Sequence, residues 1–395
     1  MLSTRLRSIA TAGLLAIVAF GLYAIHIGTP PLSTAESDLL LQLNRIGSGA
    51  DGFPLFFHVA DERWLQPVAV YFTSLVSLVT ASSSPGRLAA AVIGALDVAL
   101  MFLLCRQLLA SPSVAAGAAL LLMATPAHIV FARTGVDAIY PLPIVLMWLI
   151  ALAAYFEMGD RRLAAAGGFA LGIGVYSHPS APVTMGLLLV VTMAAIYLSG
   201  RRSAAHVAAP AAAFLAPLLL AAVWFAANPT AYPDTFGRWA IHAAHLRSPI
   251  EGIRAFVNWN TLGTRLSLYW GFFDPSWLFF DGPDPTASPL RGASPFLFAT
   301  VVAVVAGVSQ RLRAGFLPMT LILLGGVTVA PLAASTFGGA HSIGDALVVV
   351  PLVTAVAAGG VANWLVREHA RWRWLAWGLM AALLIDAAWS ASVYF

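Results

Sequence analysis

Apolar residues run along this chain in blocks long enough to cross a lipid bilayer, separated by short polar joints. The blocks lie near 9–27, 88–105, 113–131, 138–156, 163–177, 182–199, 206–227, 293–309, 315–334, 346–365 and 374–392. A hydrocarbon core of ~30 Å needs about 20 helical residues, so the pattern predicts an all-α polytopic membrane protein with about 11 transmembrane helices. The first block, Ile9 to Ile27, follows Arg5 and Arg7. It exceeds the roughly 7–15-residue core of a cleaved signal peptide and reads as a retained span. One more apolar stretch, Trp64 to Thr80, contains Pro67 near its start; counting it as a span would reverse the sidedness of everything after it.

Composition agrees with a membrane setting. Hydrophobic residues make up 60% of the chain and charged residues 10%, against about 45–50% and about 25% in soluble domains. The net charge of +4 raises the question of nucleic acid, but no basic patch is interleaved with aromatics, which argues against that partner. All 21 basic residues are arginines. Any cationic step therefore falls to arginine, histidine or a backbone amide. The single cysteine, Cys105, excludes an intramolecular disulfide and reads as a small buried hydrophobe; the redox compartment stays open.

Arginines in short loops mark the cytoplasmic side of a membrane protein. With Trp64–Thr80 lying along the outer surface, Arg5, Arg7, Arg106, Arg161, Arg162, Arg201, Arg202, Arg311, Arg313, Arg367, Arg371 and Arg373 all fall on one side. Twelve acids, among them Glu36, Asp38, Asp137, Asp274 and Asp345, fall on the other. The amino terminus is then inside and Phe395 outside. Two outer segments are long: 28–87, where Leu39, Leu40, Leu43 and Ile46 have the spacing of an amphipathic helix able to rest on the bilayer, and 228–292, rich in aromatics and histidine. Loops of that length are uncommon unless functional or disordered, and aromatic density argues against disorder. No internal repeat supports an inverted-repeat transporter.

Several motifs follow in a recognisable order. The first outer segment runs Thr34-Ala35-Glu36-Ser37-Asp38, then Leu39–Ile46, then Gly52-Phe53-Pro54-Leu55-Phe56-Phe57 and Gln66-Pro67-Val68-Ala69-Val70-Tyr71. Phe131-Ala132-Arg133-Thr134-Gly135-Val136-Asp137 stands at the outer end of the third span, and Tyr269–Gly282 forms an aromatic run. This order resembles the GT-C glycosyltransferases, in the branch of bacterial protein O-mannosyltransferases and lipid A aminoarabinose transferases. An acidic pair begins the first outer loop of that branch; here Ala35 stands in the place of its first acid and Glu36 in that of its second. Ala340-His341 with Pro351 resembles the late helix whose outer end usually carries arginine, absent here. The resemblance implies a single transmembrane module over 1–395, without the soluble carboxyl-terminal domain of larger relatives.

Transfer to an acceptor hydroxyl with inversion needs a carboxylate to take the hydroxyl proton as the new bond forms. Glu36, Asp38 and Asp137 are the candidate catalytic residues. Glu36 and Asp38 also suit the amino-terminal cap of the helix that follows them, and Asp137 stands four residues from Arg133, as in a structural ion pair. By the resemblance, Arg133, His178 and His341 would bind the donor phosphate, and Tyr269, Trp270 and Phe273 would cover the carrier lipid or acceptor. A divalent metal ion, held by Asp137 and Glu36, is a weak further expectation; His58, Asp61 and Glu62 have ligand chemistry but fit many solvated turns. His242 and His245 read as a helix face toward lipid headgroups. Asp97 and Asp386 fall inside apolar spans, where a charge costs at least ~2.5–3.5 kcal/mol, so interhelical hydrogen bonding is expected for both.

The resemblance thus implies a polyprenyl-phosphate-sugar-dependent glycosyltransferase of the bacterial inner membrane. Its site would face the periplasm, and its acceptor would be a lipid, glycan or protein. A transporter or lipid flippase, or a non-catalytic polyprenyl-lipid-binding relative, stands as the alternative. Sugar, acceptor and oligomeric state are not legible.

Overall fold

The computed structural model describes residues 2–28, 31–48, 54–59, 64–80, 82–109, 111–228, 259–280, 294–315, 317–336, 342–366 and 370–394. Helices dominate, and the described strands are the two-residue antiparallel pair Phe57–His58 and Trp64–Leu65. Among the described residues, six helical stretches are long and apolar enough to cross a membrane: Leu6–Ala24, Pro85–Leu108, Asp137–Met158, Ala181–Leu198, Ala204–Ala227 and Pro318–Ser335. Pro67–Val79, Pro112–Ala124 and Val349–Leu365 are shorter apolar helices. The chain is a multi-pass membrane protein.

α1 (Leu2–Ala24) packs on α4 (Pro85–Leu108), which also contacts α5 (Pro112–Ala124) and α7 (Pro141–Met158). α4 is the centre of this half, burying Ala89, Ala90, Val98, Met101, Phe102 and Leu104. In the other half α13 (Thr300–Arg313) and α14 (Pro318–Thr336) flank α15 (Val349–Val366), and α16 (Ala370–Tyr394) packs outside α15. Asp386 on α16 accepts a hydrogen bond from the Ala299 amide at 3.1 Å, at the start of α13. It meets the expectation of an interhelical bond.

Among the described residues, α8 (Arg161–Gly174) and α10 (Ala204–Ala227) make the most extensive helix–helix contact. Glycine is required at two places there: a Cβ at Gly168 would strike the Pro210 backbone, and one at Gly172 the Phe214 carbonyl. Small residues let helix backbones approach in this way. Pro217 lies inside α10, and in the turn that follows it the ladder is entered from outside. The Tyr176 hydroxyl donates to the Pro217 carbonyl at 2.7 Å and accepts from the Ala221 amide at 3.1 Å, so a phenol stands inside the helical ladder.

Two details depart from the pattern of the sequence. The apolar block 113–131 is not one helix: Thr125 adopts extended backbone (ψ 124°) ahead of Pro126, and the chain restarts as α6, Pro126–Phe131. A residue before proline is pushed out of the helical region, which explains the break. The amphipathic stripe of α2 (Thr34–Gly47) does not lie free for the bilayer. Leu39, Leu43 and Ile46 pack with Phe57, Leu65, Val70 and Tyr71, and so against α3 (Pro67–Val79).

α3 has 13 residues. At 1.5 Å per residue it reaches about 20 Å, short of a ~30 Å hydrocarbon core.

Candidate active site

Three turns from distant parts of the chain meet at one end of the bundle. The first follows α6 and begins a short 3-10 turn at Asp137–Ile139; the second follows α8 and carries His178; the third is the 3-10 turn Ile343–Ala346, with Asp345. His178 Nε2 lies 3.7 Å from Asp137 Oδ1 and 3.7 Å from Asp345 Oδ1. The imidazole is 7% exposed, the carboxylates 21% and 36%; the ring is a buried floor between two acids that open to the surface. A pocket of about 10 Å³, room for a single water, lies beside His178, Ser180, Thr184 and Asp345.

The second turn is held from several sides. Tyr176 anchors it to α10 through the hydroxyl described above, and the Tyr176 carbonyl accepts from Val68 at the start of α3 at 3.3 Å. Ser177 Oγ donates to the Gly174 carbonyl at 2.6 Å. Ser180 fixes the ring, its amide pointing at His178 Nδ1 at 3.1 Å and its hydroxyl lying 2.8 Å from the same atom. That hydroxyl also donates to the Asp345 carbonyl at 2.9 Å, tying the second turn to the third. Gly344 stands against the Phe131 ring, where a Cβ would lie 3.0 Å from Cζ, and this closes the third turn on the first.

Glu36 is placed differently. Ser33 caps α2 in a capping box: the Glu36 amide donates to Ser33 Oγ at 3.3 Å, and the Ser33 amide to Glu36 Oε2 at 2.7 Å. The same carboxylate takes both arms of Arg87, Nε to Oε1 at 2.6 Å and one terminal nitrogen to Oε2 at 2.9 Å. The Gly135 amide adds a fourth bond, to Oε1 at 3.0 Å. Two carboxylate oxygens offer about four acceptor directions, and here four donors fill them. Burial pulls the pKa of Glu36 up, but the Arg87 guanidinium and the Ser33 and Gly135 amides outweigh it and hold the group at about 2.

Arg87 completes its own set by donating to the Ile27 and Pro31 carbonyls at 3.0 and 2.9 Å. It thus ties together the end of the first span, the start of α2 and the Gly135 turn. Arg133 donates to the Leu22 and Tyr23 carbonyls at 3.3 and 3.2 Å, closing the carboxyl end of α1. Burial and then the neighbouring Arg87 cation lower its pKa.

Asp137 and His178 are thus brought together, whereas Glu36 sits in the Arg87 latch and Asp38 lies half-buried on α2. Tyr269, Trp270 and Phe273 gather at the end of α11 (Trp259–Gly271), with ring centroids 5.2, 5.2 and 6.2 Å apart. The Tyr269 hydroxyl donates to the Thr328 carbonyl of α14 at 3.1 Å. Asp274 caps the short helix α12 (Pro275–Phe279) through the Ser276 amide. His341, Asp61, Glu62, His242, His245 and most of segment 228–292 lie outside the described residues. Among the described residues no group of three or more His, Cys, Asp or Glu is arranged to hold a metal ion. Glu36, with four donors on its two oxygens, does not fit as a cation ligand beside Asp137.

Sequence reasoning missed Arg87, Asp345 as a partner of His178, and Ser180. Arg87, at the end of the long outer segment 28–87, shares that side with Arg45, Arg63 and Arg133, so charge sidedness alone did not single it out. Nothing local marks Ser180.

No protein-family model and no curated protein sequence matches the chain. The fold does match solved structures. ArnT from Cupriavidus metallidurans, in a structure with bound undecaprenyl phosphate, superposes with a TM-score of 0.62 at 16% identity, over 94% of this chain and 62% of that one. The archaeal oligosaccharyltransferase AglB from Archaeoglobus fulgidus, in complex with an inhibitory peptide and a dolichol-phosphate, gives 0.60 at 12% identity, over 99% of this chain and 56% of that one. A structure of the Archaeoglobus enzyme with Zn and sulfate gives 0.56 at 14% identity, over 98% and 53%. The chain spans about six-tenths of the length of the ArnT chain it matches.

Proposed function

We propose that this protein is a membrane glycosyltransferase that moves a sugar from a polyprenyl-phosphate donor to an acceptor hydroxyl at the periplasmic face of the bacterial inner membrane. The observation that carries the reading is the Asp137–His178–Asp345 cluster, two partly open carboxylates across a buried imidazole. It stands in a fold shared with two enzymes whose structures hold undecaprenyl phosphate or dolichol-phosphate. With the eleven spans expected from the sequence, and with 28–87 and 228–292 as outer segments, the cluster would lie on the outer side.

In this reading Asp137 accepts the proton of the acceptor hydroxyl. The oxygen bonds to the anomeric carbon from the face opposite the carrier, and the polyprenyl phosphate leaves with the electron pair of the broken bond, inverting the centre. His178 holds the two carboxylates in place, with Asp345 balancing the charge. Glu36 holds the fold rather than taking the proton, and Asp38 is the remaining base candidate on α2. Arg133 binds the donor phosphate, a role the sequence resemblance also gives His341, and Tyr269, Trp270 and Phe273 cover the carrier. No step is assigned to a metal.

The locked Glu36 and the alanine at position 35 favour a second reading, a relative that binds polyprenyl lipid without transferring sugar. Purified protein incubated with radiolabelled undecaprenyl-phosphate sugars and a membrane extract separates the two. Label appearing in an acceptor supports transfer, and carrier binding without label transfer supports the second reading.

A further inference from the structure

Beneath the site, inside the membrane, lies a polar chain that no step of the proposed reaction uses. Asp97 on α4, His128 on α6 and Tyr23 on α1 are each fully buried. His128 Nε2 is 3.4 Å from Asp97 Oδ2, and its Nδ1 is 2.9 Å from the Tyr23 hydroxyl, which also reaches the Met123 carbonyl at 3.2 Å. Asp97 Oδ1 is buried without a hydrogen-bond partner. Three apolar side chains would pack here at lower desolvation cost, and the best-attested use of such buried polar sets is to fix register.

The register in question is that of α6. This helix has six residues and follows the Thr125 break, so it holds few hydrogen bonds of its own and cannot set its rotation alone. One turn beyond His128, Ala132 presses on α4 at Gly94, where an added Cβ would lie 2.5 Å from the Ala132 Cβ. Arg133 follows, its guanidinium on the carbonyls of Leu22 and Tyr23, then Gly135 on Glu36 and Asp137 beside His178. A rotation of α6 by one residue would break both imidazole contacts and carry Arg133 and Asp137 away with it.

We propose that Asp97, His128 and Tyr23 are positioning residues that lock the rotation of α6 and so place Arg133 and Asp137 at the outer mouth of the bundle. The proposal rests on the transferase reading only for its consequence in turnover; the geometry stands without it. The test uses the full chain in proteoliposomes with Cys105→Ala and a reporter cysteine, Thr134→Cys, labelled by a membrane-impermeant maleimide. Tyr23→Phe keeps the ring and removes the hydroxyl, His128→Leu removes both contacts, and Asp97→Asn keeps an acceptor for the imidazole. The labelling rate at 134 should change by about tenfold in His128→Leu and by severalfold in Tyr23→Phe, as local opening predicts, and return to near the parental value in Asp97→Asn. Turnover per folded molecule should follow the same order, in kcat more than in KM. Parental labelling in both His128→Leu and Tyr23→Phe, with a lower melting temperature alone, overturns the proposal. If His128→Leu does not fold, Tyr23→Phe decides. A parent without transfer activity defeats the transferase reading, and the labelling rates still decide this one.

Discussion

Glu36 and Arg87, 51 residues apart, are joined by two hydrogen bonds of 2.6 and 2.9 Å, and both side chains are almost wholly buried. A buried pair is costly to break from one side, because the remaining charge is left unmatched. Arg87→Leu should therefore destabilise the protein by roughly 3–5 kcal/mol. Replacing both partners, Glu36→Leu with Arg87→Leu, should cost less than the sum of the single changes. Thermal unfolding in detergent measures the cycle, and strict additivity would mean that the latch carries no coupling.

The latch also sets a pH window. Glu36 has its pKa lowered to about 2 in the folded protein from the ordinary 4.5 of a glutamate. A depressed carboxylate contributes stability above its unfolded value and loses it as pH falls through the folded one. The melting temperature should show no loss from this group between pH 7 and about pH 5, then fall toward pH 2. Glu36→Gln should be flatter across the acid range, and an identical acid profile for parent and variant would contradict the assignment.

Turnover should separate the carboxylates. Loss of a general base costs about 10²–10⁴-fold, so Asp137→Asn should lose activity on that scale with donor binding retained. Asp38→Asn should stay near parental turnover per folded molecule. The reverse ranking would move the base to α2.

Glycine at the α8–α10 contact gives a stability test independent of function. Gly172→Ala should destabilise, because its Cβ would meet the Phe214 carbonyl, whereas Gly186→Ala, with open space around it, should be neutral or stabilising by roughly 1 kcal/mol. Equal effects at the two positions would mean that the helices separate more readily than this contact implies.

Sidedness is open to direct labelling. In a Cys105→Ala background, Ser48→Cys and Ser83→Cys flank α3 at exposed positions. Both should react with an impermeant maleimide added from outside. Protection of position 83 alone would make α3 a crossing segment.

The long helices were legible because twenty consecutive apolar residues have few other uses. Position 125 was less so: the Thr-Pro pair carries the breaking signal, but the apolar run passes over it without a dip. Asp137 and His178 stood out as polar groups at helix mouths, while their meeting with Asp345 depends on three turns closing together, which no spacing encodes. Glu36 had the residues for two roles, capping and proton transfer. Its partner decided between them in the geometry, and that partner lies where only tertiary structure brings it. Asp97 is legible as an acid within a span; His128, in the broken span, has no local mark, and its role depends on the packing of α6 against α4 that sets the two side by side.

The tight seam between α8 and α10 also bears on how the chain is made. α8 has only 14 residues and begins with two arginines, so on its own it is a weak candidate for release into the bilayer from the insertion machinery. Its glycine groove is filled by α10, whose backbone emerges from the ribosome only after α9 (Ala181–Leu198) has been synthesised. Segments α8, α9 and α10 are then expected to leave the translocon as one unit, with α8 waiting for a partner not yet translated. A ribosome stalled before residue 204 would hold α8 in a form still extractable from the membrane, and one stalled past residue 227 would not.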